Sequence, residues 1–178
     1  MQTIELTDFD QKLPEAMAVS VVMQKTTSSH QWANYAFKAL GVVVSEQFQE
    51  PQVKLIHQEQ DNEKYLISGL RLQLHADECE SYYHNLMSPK PGCFIVADET
   101  DDPDQMPVPY LVSLSFDEVH AYLEGGEQIF SVEIPPELYR WAEAFILTHY
   151  EAIKKKKRKL NNWKQSMQGN PVTTPGKT

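Results

Sequence analysis

A change of hydrophobic period near residue 76 constrains the fold more than any other feature. Before it, apolar side chains recur at every second position. Met17, Val19, Val21 and Met23 share one face, the pattern of a half-buried strand. The polar run TTSSHQ turns the chain. Tyr35, Phe37 and Ala39 then alternate with Ala36, Lys38 and Leu40 before the β-branched VVV. This predicts a second, long strand bent at Gly41. The segments VKLIHQEQ and KYLISGLRLQL flank the polar DNE, which predicts a hairpin. In its second arm Leu66, Leu70, Leu72 and Leu74 are read on one face, with Arg71 and Gln73 on the other.

After residue 76 the period becomes helical. Cys79, Tyr82, Tyr83 and Leu86 follow helical spacing, and Asp77 with Glu80 matches a capping box. The prolines of SPKPG stop that helix. CFIVA reads as a short buried strand, DETDDPDQMPVP as an acidic loop and YLVSLSF as a strand. Ser115 and Glu118 form a second capping box, with Gly125 as a left-handed cap. QIFSVEI is the last strand. Pro135 and Pro136 open a long helix that is predicted to run into the lysines beyond residue 153. Its apolar stripe is Leu138, Trp141, Ala142, Phe145, Ile146, His149 and Ile153. Glu137 sits near the positive end of its macrodipole and the lysines near the negative end.

The fold class expected is α+β: a curled, mostly antiparallel sheet of about seven strands closing toward a barrel, with two short helices and one long C-terminal helix. Residues 1–16 are expected to be a flexible lead-in, 17–160 a single domain and 161–178 a disordered tail.

Charge is unevenly spread along the 178 residues. Lys154, Lys155, Lys156, Lys157, Arg158, Lys159, Lys164 and Lys177 are eight of the 16 basic residues, and no acid accompanies them. The rest of the chain keeps eight basic against all 25 acidic residues, a balance of −17. Such a body repels phosphate backbones, which makes nucleic acid an unfavourable partner outside the basic run. The run at 154–159 has three readings: a solvated helix end, a handle for an acidic partner, or a contact with nucleic acid or a membrane surface. No apolar run has the length of a membrane span, and the acidic N-terminus does not resemble a signal peptide. The two cysteines, Cys79 and Cys93, fit a reducing compartment, so a cytoplasmic location is expected.

Catalytic motifs are sparse. The chain has seven glycines and lacks G-x-G-x-x-G, a Walker loop, G-x-S-x-G and H-E-x-x-H. His75, Asp77, Cys79, His84 and Cys93 are the densest set of metal-ligating types, but their spacing fits no closed site, and no metal or cofactor is expected. Asp98, Glu99, Asp101, Asp102 and Asp104 lack the glycine and terminal Glu of a calcium loop and read as solvated. No catalytic residue is nominated.

One further pattern spans most of the chain. Phe116, the Gly125, Gly126, Glu127, Gln128 turn, Pro135, Pro136 and Glu137, Trp141, the His149 and Tyr150 pair, and the basic run recur in order. With VSVVMQK, Trp32 and SYYHNLMSPKPGCFIV, this resembles an uncharacterised bacterial family encoded beside formate dehydrogenase genes. Some members are labelled molybdopterin-guanine dinucleotide biosynthesis protein A. That label implies a nucleotidyltransferase with a glycine-rich G-G-x-S-x-R-M-G loop, whereas the N-terminal half here has only Gly41 and Gly69. The resemblance implies a non-catalytic accessory protein that assists assembly, cofactor loading or regulation of formate dehydrogenase by binding a subunit or its precursor. The alternative it implies is an enzyme or carrier acting on the molybdenum cofactor or its nucleotide. It also favours a docking role for Lys154, Lys155, Lys156, Lys157, Arg158 and Lys159.

Overall fold

Two hairpins lie side by side in the first half of the chain. The structure, a computed structural model, describes residues 13–150. Strands β1 (Ala16–Thr27), β2 (Tyr35–Val44), β3 (Gln52–Glu59) and β4 (Asn62–Gln73) form an antiparallel sheet in the order β2-β1-β4-β3. On its inner face Val19, Val21 and Met23 oppose Val44, Val42 and Ala39 on one side and Leu70, Ile67 and Tyr65 on the other. The period-two pattern thus buries one face, as such alternation does in antiparallel sheets.

Two irregularities adjust that pattern. Leu40 is an extra residue in β2 beside Gly41, where the bend was predicted. In β4, Ser68 and Gly69 together oppose only Ser20. Gly69 has φ of +81°, and a Cβ there would stand 2.4 Å from the Cα of Pro51. This bulge moves the side chains on either side of it by one position. Leu66 therefore shares the outer face with its partner Val22, while Ile67 points inward with Leu70, Leu72 and Leu74. The expected face of four leucines is corrected accordingly.

Residues 45–51 join β2 to β3 at opposite edges, so they must cross β1 and β4. The Ser45 N–H donates to the Ala18 carbonyl at 3.2 Å. The Ser68 hydroxyl donates to the Glu50 carbonyl at 2.8 Å. Pro51 lies over Gly69, and Ser20 is fully buried on the crossed face.

A second antiparallel sheet follows, ordered β6-β5-β7, from β5 (Gly92–Ala97), β6 (Pro109–Ser113) and β7 (Gln128–Glu133). Cys93, Ile95, Val96 and Ala97 are all completely buried, so both faces of β5 are covered, as its unbroken apolar run requires. Strand β6 lies against β4 and β7 against β2, which encloses one core between the sheets. Among the described residues no strand pairing joins them. The single curled sheet closing toward a barrel is thus replaced by two sheets of four and three strands. The reason is local: β4 is hydrogen-bonded on one side to β1 and on the other to β3, so β6 finds no free edge there.

The helices are α1 (Cys79–Leu86), α2 (Phe116–Glu124) and α3 (Pro136–His149). Ser115 caps α2 as predicted, accepting the Glu118 N–H at 3.1 Å. Gly125 is right-handed, with φ of −78°, and the left-handed position falls instead on Gly126 at +94°. The Asp77 and Glu80 box does not form. A short 3-10 turn (Ala76–Glu78) enters α1, whose N-cap is Glu78 with no side-chain cap bond.

In α3, Leu138, Trp141, Ala142, Phe145 and Ile146 are buried as expected, while His149 is exposed with its ring 4.3 Å from that of Phe145. The helix ends at His149, and Tyr150 is extended with ψ of 102°. The expected continuation past Tyr150 is therefore interrupted there. Ile153, the six basic residues at 154–159 and the 161–178 tail lie outside the described residues, as does most of the expected lead-in. Its last residues are anchored. The Trp141 indole N–H donates to the Pro14 carbonyl at 2.7 Å, and the Leu74 N–H to the Glu15 carbonyl at 3.0 Å.

Candidate functional site

Two polar side chains on the inner face of α1 organise the region where α1, α2 and the short sheet meet. Asn85 donates to the Gly92 carbonyl at 2.8 Å and the Leu114 carbonyl at 2.9 Å, and its Oδ1 accepts the Gly92 N–H at 2.9 Å. One amide therefore ties α1 to β5 and to the entry of α2. Ser81, one turn earlier, lies 3.1 Å from the Ser115 hydroxyl. Ser115 Oγ donates to Glu78 Oε2 at 2.7 Å while capping α2. Its N–H in turn donates to Ser113 Oγ at 3.0 Å, and Ser113 donates to Glu118 Oε2 at 2.6 Å. The capping box is half formed: the Glu118 carboxylate takes the Ser113 hydroxyl where the motif would have it take the Ser115 N–H.

These groups satisfy one another, as buried polar atoms must. Tyr82 extends the arrangement, its hydroxyl accepting the His75 N–H at 3.1 Å, and burial pushes its pKa up to about 12. Sequence reasoning did not single out Ser81, Asn85 or Ser113. The available signal was the i, i+4 placement of Ser81 and Asn85 on the same stripe as Tyr82 and Leu86, a polar pair on a core-facing surface.

Outside this bonded cluster runs an open cleft of about 370 Å³, lined by Ser81, His84, Lys90, Phe94, Phe116 and Asp117 among others. Phe116, the first residue of α2, is 57% exposed. It meets Phe94 edge to face at 5.9 Å and stacks on His120 at 5.6 Å. A second cleft of about 500 Å³ continues on the other side of Lys90, along Pro91, Gly92 and Ser131 to Glu133. The cleft therefore presents an aromatic wall with the Lys90 cation and the Asp117 carboxylate in its lining.

The residues singled out in the sequence are only partly gathered. Phe116 and the segment 81–94 meet in the cleft. Gly125, Gly126, Glu127 and Gln128 turn the chain from α2 into β7, where a Cβ on Gly126 would stand 3.1 Å from Glu99 Oε2. The Glu127 carboxylate has one buried oxygen without a hydrogen-bond partner. Burial, and then the Glu127 charge, raise the pKa of Tyr110. Pro135 is the N-cap of α3, Pro136 its first residue, and Glu137 stands in the first turn. Trp141 is buried away from the cleft lining, and Tyr150 stacks on Tyr83 of α1 at 5.6 Å.

The candidate ligand types stay apart. His75 is exposed, and the one carboxylate beside His84 among the described residues is that of Glu80, at 3.7 Å. Cys79 and Cys93 are buried; burial raises the Cys79 pKa and pushes that of Cys93 up to about 12, which disfavours the thiolates a metal would need. No group of three metal-ligating side chains is gathered among the described residues. In the acidic loop, Asp104 serves the scaffold. It accepts the Asn34 N–H at 2.6 Å, the Asn34 side-chain amide, and the Tyr35 N–H at 3.2 Å. The Asn34 amide holds its carboxyl below the usual aspartate range.

Among the described residues the fold is α+β, with two antiparallel sheets and three α-helices, and Ser81, Asn85, Ser113 and Ser115 hold α1 and α2 in place. Among the described residues no helix is long and apolar enough to cross a membrane. The chain belongs to the family described as "Protein of unknown function (DUF3305)", which matches residues 18–159. No curated protein and no solved structure matches it.

Proposed function

We propose that this protein is a non-catalytic accessory factor of formate dehydrogenase, assisting assembly, cofactor loading or regulation by binding a subunit or its precursor. The link to that enzyme comes from the sequence resemblance. The observation that carries a binding role is the cleft. Its open wall offers Phe116, Phe94 and Lys90 to a partner, while Ser81, Asn85, Ser113 and Ser115 are engaged in hydrogen bonds that hold the helices. A half-exposed aromatic beside a cation suits a peptide segment carrying apolar and acidic groups. The run Lys154, Lys155, Lys156, Lys157, Arg158 and Lys159 adds a second, electrostatic contact with an acidic partner surface, weakened by salt.

Affinity capture of the tagged protein from cells expressing formate dehydrogenase tests this. A subunit or precursor should co-purify, and Phe116→Ala with Lys90→Glu should reduce its recovery. Deleting the gene should lower formate dehydrogenase activity while subunit transcripts persist. A deletion strain with normal, fully metallated enzyme removes the accessory reading.

A further inference from the structure

Strand β3 ends the four-stranded sheet, and among the described residues nothing pairs with its outer edge. Every residue of the strand except His57 is exposed, including Val53 at 49%, Leu55 at 43% and Ile56 at 48%. A free strand edge with apolar side chains is a template for another strand. The charges on this edge say which. Lys54, with no carboxylate partner among the described residues, stands near one end, and Glu59 stands at the other. A strand with opposite charges at its two ends is complementary to itself when antiparallel.

The pairing register is also restricted. Val53 and Leu55 oppose Ile67 and Tyr65 and so lie on the inner face of the sheet. Ile56 is the extra residue of a bulge, so beyond it the faces exchange: Gln58, opposite Glu63, is inner, while His57 and Glu59 are outer. Two copies related by a two-fold axis across this edge keep inner with inner and outer with outer only if each residue before the bulge meets one after it of opposite parity. One such register sets Lys54 against His57, two basic types. Another sets Lys54 against Glu59 twice and Leu55 against Gln58 twice. The axis then passes between Ile56 and His57, bringing Leu55 and Ile56 of both copies close to it. Cross-strand pairs of opposite charge favour the second register.

We propose that β3 is a homodimer interface, in which two copies pair antiparallel through Lys54 and Glu59 to make one continuous eight-stranded sheet. The dimer is isologous, the same patch serving on both subunits, so that one side chain change alters two contacts. It is independent of the accessory role, since the cleft beside Phe116 lies on α1, α2 and β5.

Sedimentation of the full chain at increasing concentration tests the proposal, with three variants alongside. The unaltered protein should be dimeric at ~100 μM. Lys54→Glu, and separately Glu59→Lys, should weaken the dimer by roughly tenfold or more, because each places like charges together twice. The double variant Lys54→Glu with Glu59→Lys should restore it. Far-UV circular dichroism establishes that all four remain folded, as surface changes should allow. A monomeric unaltered protein at that concentration overturns the proposal. So does a double variant no tighter than the singles, since that assigns any dimer to a different register or surface.

Discussion

Strands β5 and β3 both carry large apolar side chains, and they occupy opposite surroundings. In β5 the run GCFIVA is unbroken, the strand sits between β6 and β7, and four of its six residues are wholly inaccessible. In β3 the apolar residues are interrupted by Lys54 and His57, the strand sits at an edge, and three large apolar side chains are close to half exposed. Apolar content already separates the two, at three of eight residues in β3 against five of six in β5. Interruption by charge does so as well, because a charge on either face of a doubly covered strand has no water to meet. The short sheet is thus desolvated along its central strand, while Tyr110 of β6 and Ser131 and Glu133 of β7 stay exposed. The long sheet is desolvated on one face and at its centre, and it is left open at β3.

This contrast can be broken by substitution, and the largest effect belongs to the helical layer. Trp141→Ala should cost about 3–5 kcal/mol in chemical denaturation, as truncation of a buried large aromatic does, and it also removes the donor to the Pro14 carbonyl. An unchanged midpoint would mean that α3 does not cover the core. In the long sheet the costly position is a backbone one. Gly69→Ala should cost about 2–4 kcal/mol, because the left-handed φ is strained for alanine and its Cβ meets Pro51. A neutral result would show that the crossing at 45–51 is free to move aside. On the open edge, Val53→Ala should change the stability of dilute protein by no more than about 0.5 kcal/mol. A core-sized loss there would abolish the distinction between the two sheets.

The smallest effect is a pH dependence. Asp104 has a depressed pKa in the folded protein, so its stabilising contribution is present above the unfolded value and is lost as pH falls through the folded one. The tether to Asn34 and Tyr35 should therefore loosen only below the usual aspartate value of about 3.9. The protection of the Asn34 and Tyr35 amides against exchange, relative to their intrinsic rates at each pH, should fall there in the unaltered protein. In Asp104→Asn it should already be low at neutral pH.

The elements themselves were legible in the sequence because each depends on neighbours a few residues away. The alternation from Met17 to Met23, the Ser115 cap and the proline stop after Leu86 all follow from local chemistry, as does the hairpin expected at DNE, whose turn falls at Gln60 and Asp61 with Asn62 and Glu63 already in β4. What escaped was set by distant partners. Leu66 lies on the face opposite to the one its spacing predicts because the bulge at Gly69 depends on Pro51 crossing above it. The division into two sheets depends on β3 having taken the second edge of β4. In the candidate site, Phe116 and the segment 81–94 stand in the sequence only as parts of a pattern. Their meeting in one cleft depends on Asn85 reaching both Gly92 and Leu114. The left-handed glycine was misplaced by one residue, since Gly125 and Gly126 are chemically equal and only the path into β7 chooses between them.

The hydrogen bond from Trp141 to Pro14 joins positions 127 residues apart. During translation at ~5–20 residues per second, Pro14 waits roughly 6–25 s for that indole to be made. For that interval the inner faces of both sheets lack the helix that contributes Leu138, Trp141 and Phe145 to their core. The nascent chain therefore exposes that apolar surface until α3 has been made. A stop codon anywhere before α3 would release a species without its cover, one that quality-control proteases and chaperones should engage more strongly than the finished protein.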